Sequence, residues 1–196
     1  MEGVKRYCVR LLTHNEQWKE EFQKVKQSIQ EQWADNVLDI RHVGSTAVPL
    51  ICAKPILDVA VRLRSVRQLD PSFLEALGYD YCGIQHGNPL HHLFVLRGPG
   101  EISLQHIHCY DQTAPEFDQI VGFRDYLNAH PDAARLYEAL KRILPKNIRT
   151  TVRPTQKEKR ISSKISVKNF EYKNSRHVFV PAAFYALILF IVNVHA

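Results

Sequence analysis

The sequence predicts an α+β fold in which helices flank one mixed β-sheet. Two observations favour it: an amphipathic helical segment is followed by strand-like segments, and two more helical segments come after the last strands. This order of elements is typical of helices packed in a layer against a sheet. The chain has 196 residues, of which 45% are apolar and 23% charged, values that exclude wholesale disorder and fibrous classes.

The first half of the chain predicts one helix and two strands. A helix is expected over about 15–35, because apolar residues recur every three or four positions at Trp18, Phe22, Val25, Ile29 and Trp33. Strands are expected over 37–43 and 56–63. Between the strands we expect a turn at residues 44–46, and the prolines at 49 and 55 exclude a long helix there.

The second half predicts a helix, three strands and two further helices. The helix is expected over 68–77, ended by Gly78, followed by a short strand and then a loop at 84–90. Strands are expected over 92–96 and 102–110, the second at an edge or bulged because it holds many polar residues. The last two helices are expected over 115–129 and 132–144, each limited by a proline.

Positive charge is confined to the end of the chain. Residues 1–140 carry 14 Lys+Arg against 18 Asp+Glu, whereas residues 141–196 carry 12 against 2. We therefore divide the chain into a main domain, 1–145, and a basic and then apolar extension, 146–196. This distribution argues against a nucleic-acid site in the main domain and directs any electrostatic binding of polyanions to the extension.

The apolar end of the extension predicts a helix packed on the domain. Its 16 residues, 179–194, are fewer than the roughly 20 that span a bilayer. The alternative is a tail anchor with a basic flank, giving membrane contact.

The four cysteines show no C-x-x-C spacing, and the first residues show no leader pattern, so we predict a reducing, cytoplasmic location.

The turn between the first two predicted strands is the candidate phosphate-binding site. Gly44 would let a phosphate approach the backbone, and the Ser45 hydroxyl and the backbone N–H groups of the turn, which includes Thr46, would bind it. A divalent metal, Mg²⁺ or Mn²⁺, would be held against the same phosphates by Asp58 on the next strand. The alternative interpretation is an ordinary Gly-Ser turn and a solvated carboxylate.

A pair of histidines would complete this site. His106 and His108 alternate on a strand and so share a face. With Asp58 they would form a mixed metal site that suits Mn²⁺, Zn²⁺ or Fe²⁺ more than Mg²⁺; alternatively they only hydrogen-bond within a polar sheet face. His106 is also the candidate catalytic base, and His42 is expected to point at the same pocket.

Two basic residues are candidates for phosphate contacts. Lys54 precedes the second strand, and Arg124 lies on a predicted helix, where its guanidinium suits phosphate. We expect Ser45 and Asp58 to open into one pocket lined by His106 or His108.

The motifs resemble those of the GrpB family. The run from His42 to Asp58, HVGSTAVPLICAKPILD, is similar to its signature H-[IV]-G-S-T-A-V-P-G-L-x-A-K-P-I-I-D. The resemblance continues in the two histidines above and in short motifs at 77–79, 123–127, 130–131 and 137–141, and covers about residues 9–144. It implies a nucleotidyltransferase-like fold. The function that we expect from the site and the resemblance together is binding of a nucleoside triphosphate with metal, followed by nucleotidyl transfer to an unknown acceptor.

Three features depart from that pattern. Ala60 stands where the nucleotidyltransferase superfamily has a second acidic residue on the strand. Leu50 replaces the glycine of the family's Pro-Gly-Leu motif. Residues after about 145 lack the Tyr-x-x-x-Lys helix with which GrpB chains end. Since two-metal transfer uses several carboxylates, Ala60 favours the alternative of a nucleotide- or phosphate-binding module without turnover. Ala60→Asp should strengthen metal binding, and Asp111 and Glu101 are the positions that would supply a missing acid.

Overall fold

The computed structural model describes residues 2–5 and 10–143, so the expectations for 146–196 lie outside the described residues. The strands and helices follow one another in the order β1 Val4–Lys5, α1 Gln17–Trp33, β2 Val37–Val43, β3 Leu57–Leu63, α2 Ser72–Ala76, β4 Tyr79–Gln85, β5 Asn88–Gly98, β6 Ile102–Asp111, α3 Glu116–Ala129 and α4 Pro131–Ile143. The α+β prediction is confirmed. None of the helices in the described part is long and apolar enough to cross a membrane.

The sheet is mixed, and β6 lies inside it. The five longer strands have the order β2-β3-β6-β5-β4, and β1 pairs with the start of β6. The β3–β6 pair is parallel and the other pairs are antiparallel. The strand expected at 102–110 is therefore not an edge strand, but the alternative of a bulged strand agrees with the structure, because the β5–β6 register shifts at Leu104. The polar residues of β6 are divided between the two faces of the sheet: Gln105 accepts a hydrogen bond from the Tyr79 hydroxyl on the α1 side, whereas His106 and His108 lie on the α3 side.

Helices cover both faces of the sheet. On one face, the apolar stripe of α1 packs on alternate residues of β3, with Ile29, Leu57, Val59 and Val61 fully buried. On the other face, α3 packs over Val43, Ala60 and Tyr110 through Phe117 and Ile120. Because β3 is covered on both sides, its sequence is almost continuously apolar, and Asp58 is its one acid.

Two local predictions differ from the structure. The helix expected over 68–77 is a 3₁₀ turn, Val66–Gln68, followed by the short α2. The loop expected over 84–90 is a tight hairpin between β4 and β5, in which His86 and Gly87 both have positive φ, 53° and 72°. Two-residue hairpin turns favour two successive residues with positive φ, and Asn or Asp usually precedes the glycine. Because a histidine stands there instead, the sequence did not predict the hairpin.

Candidate functional site

Three potential metal ligands meet on the sheet face that α3 covers. The parallel register of β3 and β6 sets Asp58 beside His106, and Ala60 beside His108. One ligand atom from each of Asp58, His106 and His108 lies within 4.8 Å of the others. The arrangement offers one carboxylate and two imidazoles, a donor set typical of transition-metal sites.

The three ligands differ in burial. The side chain of Asp58 is 7% exposed and that of His106 18%, and Asp58 Oδ1 lies 3.2 Å from His106 Nδ1. His108 is 3% exposed. A carboxylate this deeply buried is costly unless a polar or cationic group compensates it, and here the imidazole lies against it. Solutes would reach the cluster most easily at His106.

The Gly44 turn lies directly against the Asp58 carboxylate. Gly44 has φ 69° and ψ −170°, a backbone conformation that is essentially restricted to glycine. A Cβ atom placed on Gly44 would fall 2.2 Å from Asp58 Oδ2. Ser45, half-buried, then begins a 3₁₀ turn that extends to Ala47. The fold thus brings the predicted phosphate-binding turn and the predicted metal ligand together.

His42 and Thr46 lie behind this turn and correct two expectations. Thr46 is fully buried; its hydroxyl donates to the carbonyl of Ile56 at 3.2 Å and lies 3.0 Å from His42 Nε2. His42 stacks on Phe22 of α1, with ring centroids 5.2 Å apart. Burial lowers the pKa of His42 to about 4, so its imidazole is neutral near pH 7. Both side chains support the turn from the α1 side and do not face the Asp58 cluster.

Arg124 reaches the turn but already has partners. Its Nη1 donates to the carbonyl of His42 at 2.6 Å, and its Nε lies 2.7 Å from Asp125 Oδ1. Asn128, one helical turn further along α3, donates to the carbonyl of Ala47 at 3.2 Å. These contacts hold α3 against both ends of the turn. Arg124 is therefore a structural link beside the predicted phosphate site, and a phosphate contact by its guanidinium stays a prediction.

Lys54 lies in the segment that leads into β3. It is half-buried and follows Ala53, which forms an isolated bridge with Leu12. Its carbonyl accepts a hydrogen bond from the amide of Ile56 at 2.8 Å. A phosphate contact by its ammonium group stays a prediction.

The missing second acid is not supplied by the two positions that we expected. Asp111 ends β6 and accepts hydrogen bonds from the amide of Val66 and from the amide and hydroxyl of Thr113. Burial would raise the pKa of Asp111, but these hydrogen bonds outweigh it and lower the pKa. Glu101 lies in the turn before β6, with its carboxylate 3.7 Å from Arg97.

Ala60 shares the sheet face of Asp58 but cannot serve as an open ligand position. It is fully buried, in the cluster that contains Phe117 and Ile120 of α3. Strand alternation placed Ala60 on the correct face of the sheet but did not predict that α3 covers this face. The expectation that Ala60→Asp strengthens metal binding therefore does not fit the structure. A carboxylate at this position would enter an apolar layer.

His91 is a further member of this face, and the strand predicted over 92–96 did not include it. Its Nε2 lies 3.0 Å from His108 Nδ1, and both residues are buried. His92, its neighbour, faces the other side and contacts the hydroxyl of Tyr81. The alternation of strand side chains separates the two histidines, but only the pairing of β5 with β6 reveals that His91 meets His108.

A family profile and several known proteins are similar to this chain in sequence. The profile of the GrpB protein family matches residues 8–180, which extends beyond the motifs that end near 144. The UPF0157 protein YqkA of Bacillus subtilis (strain 168) is 34% identical over 69% of this chain and 39% of its own length, so the chain spans about two-fifths of that relative. The Glutamate-rich protein GrpB of Alkalihalophilus pseudofirmus is 32% identical over 74% of this chain and 85% of its own.

Solved structures of other proteins are similar to this chain in fold. The crystal structure of the conserved protein GrpB from Enterococcus faecalis matches with a TM-score of 0.65 and 27% identity, over 83% of this chain and 99% of that one. The Cid1 poly(U) polymerase matches with a TM-score of 0.47 and 13% identity, over 67% of this chain and 42% of that one, which is too distant to bear on substrate or reaction. From the profile match over most of its length and from these relatives, the chain belongs to the GrpB family.

Proposed function

We propose that the chain binds a nucleoside triphosphate together with a divalent metal ion. The metal would be held by Asp58, His106 and His108, and the phosphates by the backbone and hydroxyl of Gly44 and Ser45. The observation that carries the proposal is the close approach of the Asp58 carboxylate to Gly44, where an added Cβ atom would lie 2.2 Å from Asp58 Oδ2. It puts a turn that suits phosphate next to a carboxylate that suits a cation.

The three side chains fit a transition metal better than Mg²⁺. Mg²⁺ prefers oxygen ligands, whereas two imidazoles with one carboxylate suit Mn²⁺, Fe²⁺ or Zn²⁺. A bound metal would neutralise phosphate charge. The ligand that we propose is therefore a nucleotide or a related phosphorylated small molecule. The compartment that we propose is the cytoplasm, as the cysteine spacing predicts.

The reaction class for such a site is nucleotidyl transfer. An acceptor hydroxyl oxygen would bond to the α-phosphorus, the bond from that phosphorus to the bridging oxygen would break, and pyrophosphate would leave. The acceptor proton would pass to a base. His106 is the candidate base because it is the most exposed of the three cluster residues, and it can take that role only through a nitrogen that does not hold the metal.

Binding without turnover is the second candidate function, and the environment of Ala60 favours it. The packed alanine leaves Asp58 as the one acid of β3, and Asp111 and Glu101 have partners elsewhere. A two-metal transfer needs ligands that bridge or flank both ions. We therefore expect weak or absent transfer with binding retained.

Thermal unfolding with each of four nucleoside triphosphates, with and without Mg²⁺, Mn²⁺ or Zn²⁺, tests the proposal. We expect a nucleotide with metal to raise the Tm, since a ligand at about 100 times its Kd adds about 2.7 kcal/mol of stability. Asp58→Asn should remove the metal-dependent part. Asp39→Asn, at an exposed ion pair with Arg41 on β2, is the matched control and should keep it.

Three outcomes would contradict parts of this proposal. If no nucleotide shifts the Tm, the chain is not a simple nucleotide binder. If wild type and Asp58→Asn shift alike, Asp58 is not a metal ligand. Robust metal-dependent release of pyrophosphate by the wild-type chain would refute binding without turnover.

A further inference from the structure

A second histidine lies behind one of the proposed metal ligands. His91 Nε2 is 3.0 Å from His108 Nδ1, and the two residues are 5% and 3% exposed. At this distance the two nitrogens share one hydrogen, so one imidazole donates and the other accepts.

The direction of that hydrogen bond decides whether His108 can bind a metal. With Nδ1 facing His91, the ring nitrogen that remains for a metal is Nε2. If His108 donates its Nδ1–H to His91, Nε2 of the neutral ring keeps a lone pair. If His91 donates instead, neutral His108 carries its proton on Nε2 and has no lone pair there for a cation.

We propose that His91 is a positioning residue that holds His108 in the orientation and tautomer that bind metal through Nε2. The inference rests on the metal site proposed above. Metal-binding histidines commonly donate their second N–H to a fixed acceptor, which sets the ring orientation and raises the basicity of the ligand. Here the acceptor would be His91 Nε2.

The packing of His91 suits this role. Its ring stacks on Tyr110 with centroids 4.3 Å apart and planes inclined by 19°, and the β5–β6 register sets the two residues opposite each other. Tyr110 in turn meets Phe117 of α3 edge to face, at 6.2 Å. The acceptor is therefore fixed by the sheet on one side and by the helix layer on the other.

Two substitutions separate the hydrogen bond from the packing. His91→Phe keeps an aromatic ring for Tyr110 but removes the acceptor, whereas His91→Gln loses the ring but keeps an amide oxygen that accepts. We expect His91→Phe to weaken Zn²⁺ and Mn²⁺ binding by about 10- to 100-fold in calorimetric titration, and His91→Gln to recover part of the loss. Melting of each metal-free variant checks that it is folded.

The adjacent histidine provides a matched control. His92 faces the opposite side of the sheet, where its Nδ1 lies 2.5 Å from the Tyr81 hydroxyl and its Nε2 3.2 Å from the carbonyl of Pro89. His92→Phe should leave the affinity for both ions unchanged. A loss equal to that of His91→Phe would overturn the inference, because it would show a general effect of altering β5.

A spectroscopic measurement needs no variant. In ¹⁵N-labelled wild type loaded with Zn²⁺, we expect His108 to be metal-bound at Nε2 and to carry hydrogen on Nδ1, with His91 Nε2 unprotonated. Coordination through His108 Nδ1 would overturn the inference even if His91→Phe failed to fold. Equal ion affinity of wild type and His91→Phe would refute the role of His91 alone, whereas a wild type that binds neither ion would refute the metal site and this role with it.

Discussion

Substituting Gly44 by alanine tests the contact on which the proposed site depends. The new methyl group would be placed 2.2 Å from Asp58 Oδ2, far inside contact distance, so the turn or the carboxylate must move. The substituted residue would also have to keep φ 69° and ψ −170°, or the backbone would have to change. Both effects act at the point where the turn meets the metal ligand.

The expected magnitude has two parts. Holding a non-glycine residue in this backbone region costs about 1–3 kcal/mol. The collision with Asp58 adds to that, and we expect a total loss of about 3 kcal/mol or more in the free energy of unfolding. Gly87→Ala is the matched control, because Gly87 also has positive φ, 72°, but nothing lies within 4 Å of its added Cβ. Gly87→Ala should show only the backbone part, about 1–2 kcal/mol.

Urea unfolding of the metal-free proteins and titration with Mn²⁺ or Zn²⁺ provide the assay. We expect Gly44→Ala to lose more stability than Gly87→Ala and also to lose metal affinity, while Gly87→Ala keeps it. The reasoning would be refuted if the two variants were equally stable and bound the metal equally well. That result would mean that Asp58 is not held against the turn.

Three further predictions concern the layers around the site. His42 has a pKa of about 4 in the folded chain against about 6.5 unfolded, so its contribution to stability is complete above pH 6.5 and falls by up to about 3 kcal/mol as the pH drops to 4. Urea unfolding across this range should show a smaller fall for His42→Gln, and parallel curves would contradict the assignment. Ala60→Asp would bury a carboxylate beside Phe117 and should cost on the order of 3 kcal/mol, measured by Tm without metal; an unchanged Tm would show that position 60 is open. Arg124→Leu leaves the His42 carbonyl without its charged donor and should cost about 1–3 kcal/mol, whereas a neutral result would mean that this contact does not hold α3 in place.

The elements with strong local patterns were predictable from the sequence. The bounds of β2 agree with the prediction, and those of β3 differ by one residue, because apolar residues and turn signals limit both strands. The grouping of His106 with His108 followed from strand alternation, and the structure places both beside Asp58.

The rest depended on which strands pair, which alternation does not encode. The central place of β6, the contact of His91 with His108 and the cover of α3 over Ala60 all follow from the register of β3, β5 and β6. A polar strand suggests an exposed edge only while its neighbours are unknown. Here Gln105 meets Tyr79 on one face of the sheet, and His106 and His108 meet Asp58 on the other.

The parallel pairing of β3 with β6 has a consequence for the order of folding. Asp58 and His106 are 48 positions apart in sequence, and the β4–β5 hairpin lies between them. Pairing of β4 with β5, or of β5 with β6, closes only a short loop of the chain. Pairing of β3 with β6 closes a long loop, and the entropy cost of closing it comes before the contacts between the two strands can form. An intermediate that contained only the hairpins would hold His91 against His108 but would lack the carboxylate. Capture of a metal ion by all three ligands would therefore mark the late, non-local step of folding, and its rate would follow β3 joining the sheet.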